Sequence, residues 1–170
     1  RTLFGAARDA TPVIKITDAH PEITWDDAYA IQDRLRALHE AEGRRLVGLK
    51  MGLTSRAKME QMGVEDPICG FLTDDAVVGD GETIDTSRLI HPKVEAEVAF
   101  VTKEPLAGPG CHVGDVLRAT DFVIPALEVI DSRYENFRFD LPSVIADNTS
   151  AAHFVTGGRP VSPRDVDLKT

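Results

Sequence analysis

One short stretch constrains this chain more than any other: Lys93–Val101, which reads KVEAEVAFV. Its β-branched and small apolar residues are typical of a strand. Side chains alternate across a strand, so Glu95 and Glu97 share one face and the apolar residues between them share the other. Taken alone, the pattern fits the solvent-facing side of an edge strand, because antiparallel sheets commonly have one polar face.

A second apolar run, Phe122–Asp131, has a carboxylate, Glu128, near its centre. Like charges on one face of a strand repel one another, and a buried carboxylate without a partner is costly. A hard divalent cation would offset that cost, since Mg²⁺ and Mn²⁺ take oxygen ligands. The two runs together therefore favour a metal site at Glu95, Glu97 and Glu128 over a solvent-facing strand.

Composition narrows the class of protein. The chain has 170 residues, 42% of them hydrophobic, which is enough for one domain with a core. A net charge of −9 and the absence of a Lys/Arg cluster argue against a nucleic-acid partner. No apolar run approaches the roughly 20 residues of a membrane span. Cys69 and Cys111 form no CxxC motif, so we expect a cytoplasmic protein with reduced cysteines, although a single disulfide stays open.

The ends of the sequence bear on domain organisation. It begins at Arg1 rather than methionine and stops at Thr170 within a polar connection. We therefore expect one catalytic domain over residues 1–170 that is incomplete at both ends. Its N-terminal helical part would occupy about residues 1–45, and its β core would begin at about residue 46.

Hydrophobic periodicity and capping residues predict the remaining elements. A helix over 25–42 is indicated by an N-cap at Thr24 and a C-cap at Gly43. The other expected elements are a strand at 46–53, a helix at 55–62, short strands at 70–73, 76–78 and 83–84, a helix at 112–120, a helical turn at 141–146 and a strand at 151–156.

Three polar features within this pattern are candidates for either a structural or a functional role. Lys50 lies inside an apolar strand, where it either extends to the surface or pairs with an anion in a site. Asp74-Asp75 fits a surface turn by default. The compact segment 147–150 is either a turn or part of a pocket.

Four blocks of sequence resemble a known family. They are GLKMGLTSRAKMEQMG at 48–63, HPKVEAEVAF at 91–100, PALEVIDSR at 125–133 and ADNTS at 146–150. In this order they resemble the hydratase/decarboxylase family of aromatic meta-cleavage pathways, part of the fumarylacetoacetate-hydrolase-like group. The resemblance covers about residues 25–170, and the first block looks closer to the decarboxylase branch than to the hydratase branch.

The resemblance implies an α+β fold with a mixed β-sheet or barrel-like core and a peripheral N-terminal helical region. It implies Mg²⁺ or Mn²⁺ in a sheet-lined cavity, held by the same three glutamates that the strand pattern selects. The other site positions that it implies are Lys50 and Asp75 for catalysis, with Asp74 one position away as the alternative aspartate, and Ser150 and, less surely, Asn148 for substrate binding.

The activity implied by the resemblance is the metal-dependent decarboxylation of a conjugated 2-oxo dicarboxylate, 2-oxo-3-hexenedioate, to 2-hydroxypenta-2,4-dienoate and CO₂. Hydration of 2-hydroxypenta-2,4-dienoate is the alternative within the family. A non-catalytic subunit that supports a partner enzyme is the alternative from another class. The resemblance also implies a homo-oligomer and a complex with the hydratase of the pathway.

Overall fold

The computed structural model describes residues 2–168. Its helices are α1 (Thr2–Asp9), α2 (Ile16–Ala19), α3 (Trp25–Ala41), α4 (Arg56–Met62), α5 (Val113–Ala119) and α6 (Leu141–Ala146). Its strands are β1 (Leu46–Gly52), β2 (Ile68–Thr73), β3 (Pro92–Thr102), β4 (Thr120–Asp131) and β5 (Ala151–Thr156). None of the helices in this range is long and apolar enough to cross a membrane.

The strands form two antiparallel sheets. In the first, β1 pairs with β2 and places Lys50 opposite Gly70. In the second, β4 lies between β3 and β5.

Helix α3 begins at a capping box in which the Thr24 side chain and Asp27 bond to each other's backbone N–H groups. Its inner face presents Gln32, which is buried and donates from Nε2 to Cys69 O and to Ile145 O, both at 2.9 Å. One amide thus connects α3 to β2 and to α6. Since a buried amide is stable only when its hydrogen bonds are made, this contact fixes the three elements relative to one another.

The hydrophobic core lies between the N-terminal helices and the chain that follows β4. Its buried members are Leu3, Ala28, Ile68, Tyr134, Val144, Ile145 and Ala146. Tyr134 is fully buried, and its hydroxyl donates to Ser143 O at 2.9 Å, so its polar atom is satisfied inside the core.

The structure confirms most of the predicted elements. Helix α3 ends one residue before the predicted boundary, and α4 has Ser55 as its N-cap and Gly63, at φ 66°, as its left-handed C-cap. Both of the long apolar runs are strands, with β4 beginning two residues earlier than the run that was singled out. The combination of helices with small antiparallel sheets fits the predicted α+β class.

Two predicted strands are wrong. Residues 76–78 follow a 3₁₀ turn, Asp74–Ala76, and make one bridge, Val77 to Phe154, rather than a strand. Residues 83–84 lie in an irregular segment. Short apolar runs form strands only where a partner edge is available, and here β5 offers the segment a single position. Helices α1 and α2 lie within the predicted N-terminal helical part, but neither was predicted as an individual helix.

Strand β3 is exposed along nearly its whole length. On the face opposite the glutamates, Val94 is 65% exposed and Val98 is 54% exposed. Leu127 of β4, on the same face, is also exposed. Over residues 2–168, therefore, the second sheet leaves an apolar face in contact with solvent.

Candidate metal centre

The register between β3 and β4 brings the three predicted glutamates together. Glu95 lies directly opposite Glu128, and Glu97 lies two residues along the same face of β3. Each of the three offers a carboxylate oxygen, and these atoms all lie within 4.8 Å of one another. The strand period and the antiparallel pairing thus produce a cluster of oxygen donors on one face of the sheet.

The three carboxylates differ in their surroundings. Glu128, on the central strand, is 5% exposed, whereas Glu95 and Glu97 on the edge strand are exposed. Burial is the main cause of the raised pKa of Glu128; the Lys50 ammonium opposes it, and the charges of Glu95 and Glu97 add to it. Burial, followed by the charge of Glu95, also raises the pKa of Glu97. The cluster therefore holds more negative charge than its protein neighbours offset.

Lys50 is paired with an anion in the site and does not extend to solvent. Its side chain is buried, and its Nζ lies 2.8 Å from Glu128 Oε1. The same Nζ donates to Thr149 O at 2.9 Å. The ammonium therefore joins the first sheet, where it originates, to the carboxylate cluster on the second.

The segment Asn148–Ser150 has an unusual backbone. Its three residues have φ values of 52°, 51° and 58°, although none of them is a glycine. L-residues adopt this left-handed region at a cost of about 1–2 kcal/mol each, so consecutive left-handed residues persist only where the surroundings hold them. We call this segment the left-handed turn.

The side chains of Asn148 and Thr149 hold the left-handed turn against β2. Asn148 Oδ1 accepts from Phe71 N at 2.7 Å, and Asn148 Nδ2 donates to Phe71 O at 2.9 Å, so this side chain continues the edge of β2. Thr149 Oγ1 donates to Cys69 O at 3.1 Å. Ser150 Oγ is buried and has no hydrogen-bond partner among residues 2–168.

The predicted aspartates contact two arginines that precede β1. Asp75 Oδ2 is 3.1 Å from Arg44 Nε, and Asp74 bonds to the backbone and side chain of Arg45. Asp75 borders a cavity of about 550 Å³ that Asn148 also lines. Neither Lys50 nor the three glutamates are among the described residues that line it. A catalytic role for Asp75 stays a prediction.

Sequence reasoning missed two contributors to this region. The Thr149 carbonyl anchors Lys50, but a backbone acceptor leaves no signal in the sequence. Arg133 and Asp147 form a buried ion pair beside the left-handed turn. Both of these residues lie in the blocks that carry the family resemblance, so their position there was the only available signal.

Comparisons with known proteins show what this chain is similar to. The chain is 60% identical over 165 residues to a 4-oxalocrotonate decarboxylase of Pseudomonas sp. (strain CF600), covering 97% of this chain and 62% of that protein. It is 41% identical over 169 residues to a 2-hydroxypent-2,4-dienoate hydratase of Pseudomonas putida, covering 99% of this chain and 76% of that protein. No family model matches the chain.

A solved structure is similar throughout the chain. The 4-oxalocrotonate decarboxylase from Pseudomonas putida G7, complexed with magnesium and adipate, superposes with a TM-score of 0.94 at 57% identity, covering 99% of this chain and 64% of that one. A second structure of that enzyme, with calcium and acetate, gives a TM-score of 0.92. The chain thus spans a little under two thirds of the length of the decarboxylases that it matches.

The fold is therefore that of the fumarylacetoacetate-hydrolase-like group, as the sequence predicted. Within that group, the chain belongs to the hydratase/decarboxylase family of aromatic meta-cleavage pathways.

Proposed function

We propose that this chain carries the metal centre of a decarboxylase that converts 2-oxo-3-hexenedioate to 2-hydroxypenta-2,4-dienoate and CO₂. The observation that carries the proposal is the convergence of Glu95, Glu97 and Glu128 beside the buried ammonium of Lys50. The decarboxylase relatives, at 59% and 60% identity, support this reaction over hydration, since the hydratases that match over most of the chain are 39–45% identical.

The donor set fits a divalent metal. Three carboxylate oxygens on one sheet face are the hard ligands that Mg²⁺ and Mn²⁺ prefer, and they leave positions for water or substrate. The raised pKa values of Glu97 and Glu128, caused first by burial and then by the neighbouring carboxylates, indicate that a cation would stabilise the charged forms of these groups. Bound there, the metal supplies Lewis acidity to the 2-oxo group of the substrate.

Lys50 and Ser150 would position the substrate. The Lys50 ammonium has three N–H donors; one donates to Thr149 O, and Nζ also forms an ion pair with Glu128 Oε1 at 2.8 Å, so at least one donor is available to a substrate oxygen. The buried Ser150 hydroxyl also lacks a partner among residues 2–168 and can bond to a substrate oxygen. Asn148 would hold the turn that presents these groups, through its two bonds to Phe71.

The reaction breaks the bond between C5 and the distal carboxylate, and the electron pair moves through the double bond to the C2 oxygen, which gains a proton. A buried cation such as Lys50 stabilises negative charge as it develops at that oxygen. Asp75 is the candidate acid or base. It lines a cavity together with Asn148 of the left-handed turn.

Substrate shape supports the dicarboxylate. The related decarboxylase was solved with adipate, a saturated dicarboxylate with the carbon skeleton of 2-oxo-3-hexenedioate. Because the chain itself is acidic, with a net charge of −9, a bound divalent cation would be needed to attract such an anion to the cluster.

The test is a metal-dependent assay of the whole protein. It is stripped of metal, supplied with Mg²⁺, and incubated separately with 2-oxo-3-hexenedioate and with 2-hydroxypenta-2,4-dienoate. The proposal expects Mg²⁺-dependent release of CO₂ from the first compound. Mg²⁺-dependent consumption of the second without CO₂ would make the protein a hydratase. Turnover of neither would favour a non-catalytic partner subunit.

The oligomeric state and a complex with the pathway hydratase belong to the same proposal. Sedimentation velocity of the whole protein, alone and mixed with the hydratase, is expected to give a mass above that of one chain and then a larger mixed species. A single-chain mass in both experiments would contradict this part of the proposal.

A further inference from the structure

We propose that Lys50 is the internal counter-ion of the carboxylate cluster, which allows the protein to fold before a metal binds and also weakens metal binding. The inference rests on the proposed function in one respect: the divalent cation is taken to bind at Glu95, Glu97 and Glu128. It assigns to Lys50 a role in the metal-free protein that is separate from any contact with substrate.

The first step is the need for a counter-ion. Glu128 is 5% exposed and lies opposite Glu95 in the sheet, with Glu97 close by. A buried carboxylate that has no cation destabilises the folded protein. In the metal-free protein, the cation nearest to Glu128 among the described contacts is Lys50, at 2.8 Å.

The second step is that Lys50 is held in place. Its Nζ donates to Thr149 O, which the left-handed turn directs at it. Its Cγ lies where a Cβ on Gly70 would be only 3.2 Å away, so the stem passes closely over β2. At 8% exposure, the side chain has little access to water. The ammonium therefore remains beside the cluster when a second cation arrives.

The third step is the energetic consequence. A fixed positive charge near the ligands repels an incoming divalent cation, and the repulsion is stronger beside the buried Glu128 than beside the exposed Glu95 and Glu97. The same charge stabilises the metal-free protein. Lys50 therefore stabilises the metal-free form relative to the metal-loaded form. The protein can then fold before the metal binds, and the bound metal can dissociate again.

The test compares three forms of the whole protein: wild type, Lys50→Met, which removes the charge but keeps the length, and Lys58→Met. Lys58 is exposed on α4, and only its backbone N–H makes a described contact, so this variant is the matched control. Mg²⁺ affinity is measured by titration calorimetry, and the melting temperature is measured with and without Mg²⁺.

Lys50→Met is expected to bind Mg²⁺ at least about tenfold more tightly than wild type and to melt at a lower temperature without metal. Lys58→Met should match wild type in both measurements. If Lys50→Met is unfolded without metal, Mg²⁺ should restore its fold. Unchanged or weaker affinity in Lys50→Met, or a variant that Mg²⁺ fails to restore, would overturn the counter-ion role. Wild type that binds no Mg²⁺ would instead overturn the proposed metal centre.

Discussion

At the scale of single residues, His39 shows how local packing sets a charge state. It lies near the end of α3, where its ring makes edge contacts with Phe4 and Phe71 and its Nδ1 accepts from Arg44 at 2.6 Å. Burial, followed by the charge of Arg44, lowers the pKa of His39 to about 4, and Asp75 partly opposes this shift. The folded protein therefore keeps this imidazole neutral.

This depressed pKa predicts a dependence of stability on pH. An unfolded histidine takes up a proton near pH 6.5, whereas folded His39 does so near pH 4. Its contribution is therefore fully present above about pH 6.5 and is lost as the pH falls to about 4, by at most about 1.4 kcal/mol per pH unit. Urea unfolding at pH 7 and pH 5 should show a smaller loss for His39→Gln than for wild type. His20→Gln, at an exposed histidine, should match wild type. Equal losses in all three would contradict this account.

Asp147 and Arg133 provide the second residue-scale prediction. Arg133 donates to the Asp147 carboxylate from Nε and from its backbone N–H, and both side chains are buried. Because Asp147→Asn leaves the guanidinium buried without a counter-charge, we predict a loss of about 3–5 kcal/mol in the free energy of unfolding. Asp9→Asn, which breaks the exposed Arg8–Asp9 pair, should leave the free energy of unfolding nearly unchanged. Denaturant titrations that gave similar values for the two variants would be inconsistent with a buried pair.

At the scale of elements, β2 and the left-handed turn fit together without space for another atom. A Cβ at Gly70 would lie 2.8 Å from Asn148 O and 2.9 Å from Asn148 Oδ1. Because contacts this short are not tolerated, the turn must move in Gly70→Ala. We predict a loss of stability of about 1–3 kcal/mol together with weakened Mg²⁺ binding.

The control for this prediction lies on the neighbouring strand. A Cβ at Gly48 of β1 would meet only Leu72 Cδ1, at an ordinary 3.8 Å. Gly48→Ala should therefore be neutral or slightly stabilising. Chemical denaturation and calorimetry on both variants check the pair, and a Gly70→Ala protein as stable as Gly48→Ala would show that the turn does not need this glycine.

Sequence pattern predicted the elements whose signal is local. The period of two in β3 placed Glu95 and Glu97 on one face, and the apolar run of β4 placed Glu128 in a second strand, which the structure pairs with β3. It failed for residues 76–78, whose strand character depends on a tertiary partner that pairs only once. It also missed α1, because a helix this short depends on burying Leu3 and Ala6 and not on intrinsic propensity.

The site was predictable in its charges but not in its backbone. The glutamates were identified from residue type and spacing, whereas Lys50 was assigned to the site by the family resemblance after the strand pattern left two interpretations open. The left-handed turn was not, because a segment without glycine gives no sequence signal for a positive φ. The contact of Asp75 with Arg44 was also not indicated by the sequence.

At the scale of the whole molecule, the helical N-terminal part and the β core share one set of buried side chains. Leu3 and Ala28 pack with Ile68 and with Ile145 in the same cluster. Because this cluster joins the two parts within residues 2–168, we predict a single cooperative unfolding transition. Trp25, the one tryptophan, reports on α3, and far-ultraviolet circular dichroism reports on the whole chain.

The two signals should give the same midpoint. Leu3→Ala, which creates a cavity at the core, should cost about 2–5 kcal/mol of unfolding free energy and lower both midpoints together. Val113→Ala, at a residue 74% exposed, is the matched truncation and should leave both unchanged. Two separate transitions would show that residues 1–45 unfold independently of the β core.

The central claim is that Glu95, Glu97 and Glu128 together hold the divalent cation used for decarboxylation. Crystals of the whole protein grown with Mn²⁺, with data collected at the manganese absorption edge, test it most directly. We expect an anomalous difference peak within coordination distance of all three carboxylates, and we expect this peak to be lost in Glu97→Gln. A peak at another position, such as the cavity bordered by Asp75, with none at the three glutamates, would contradict the account.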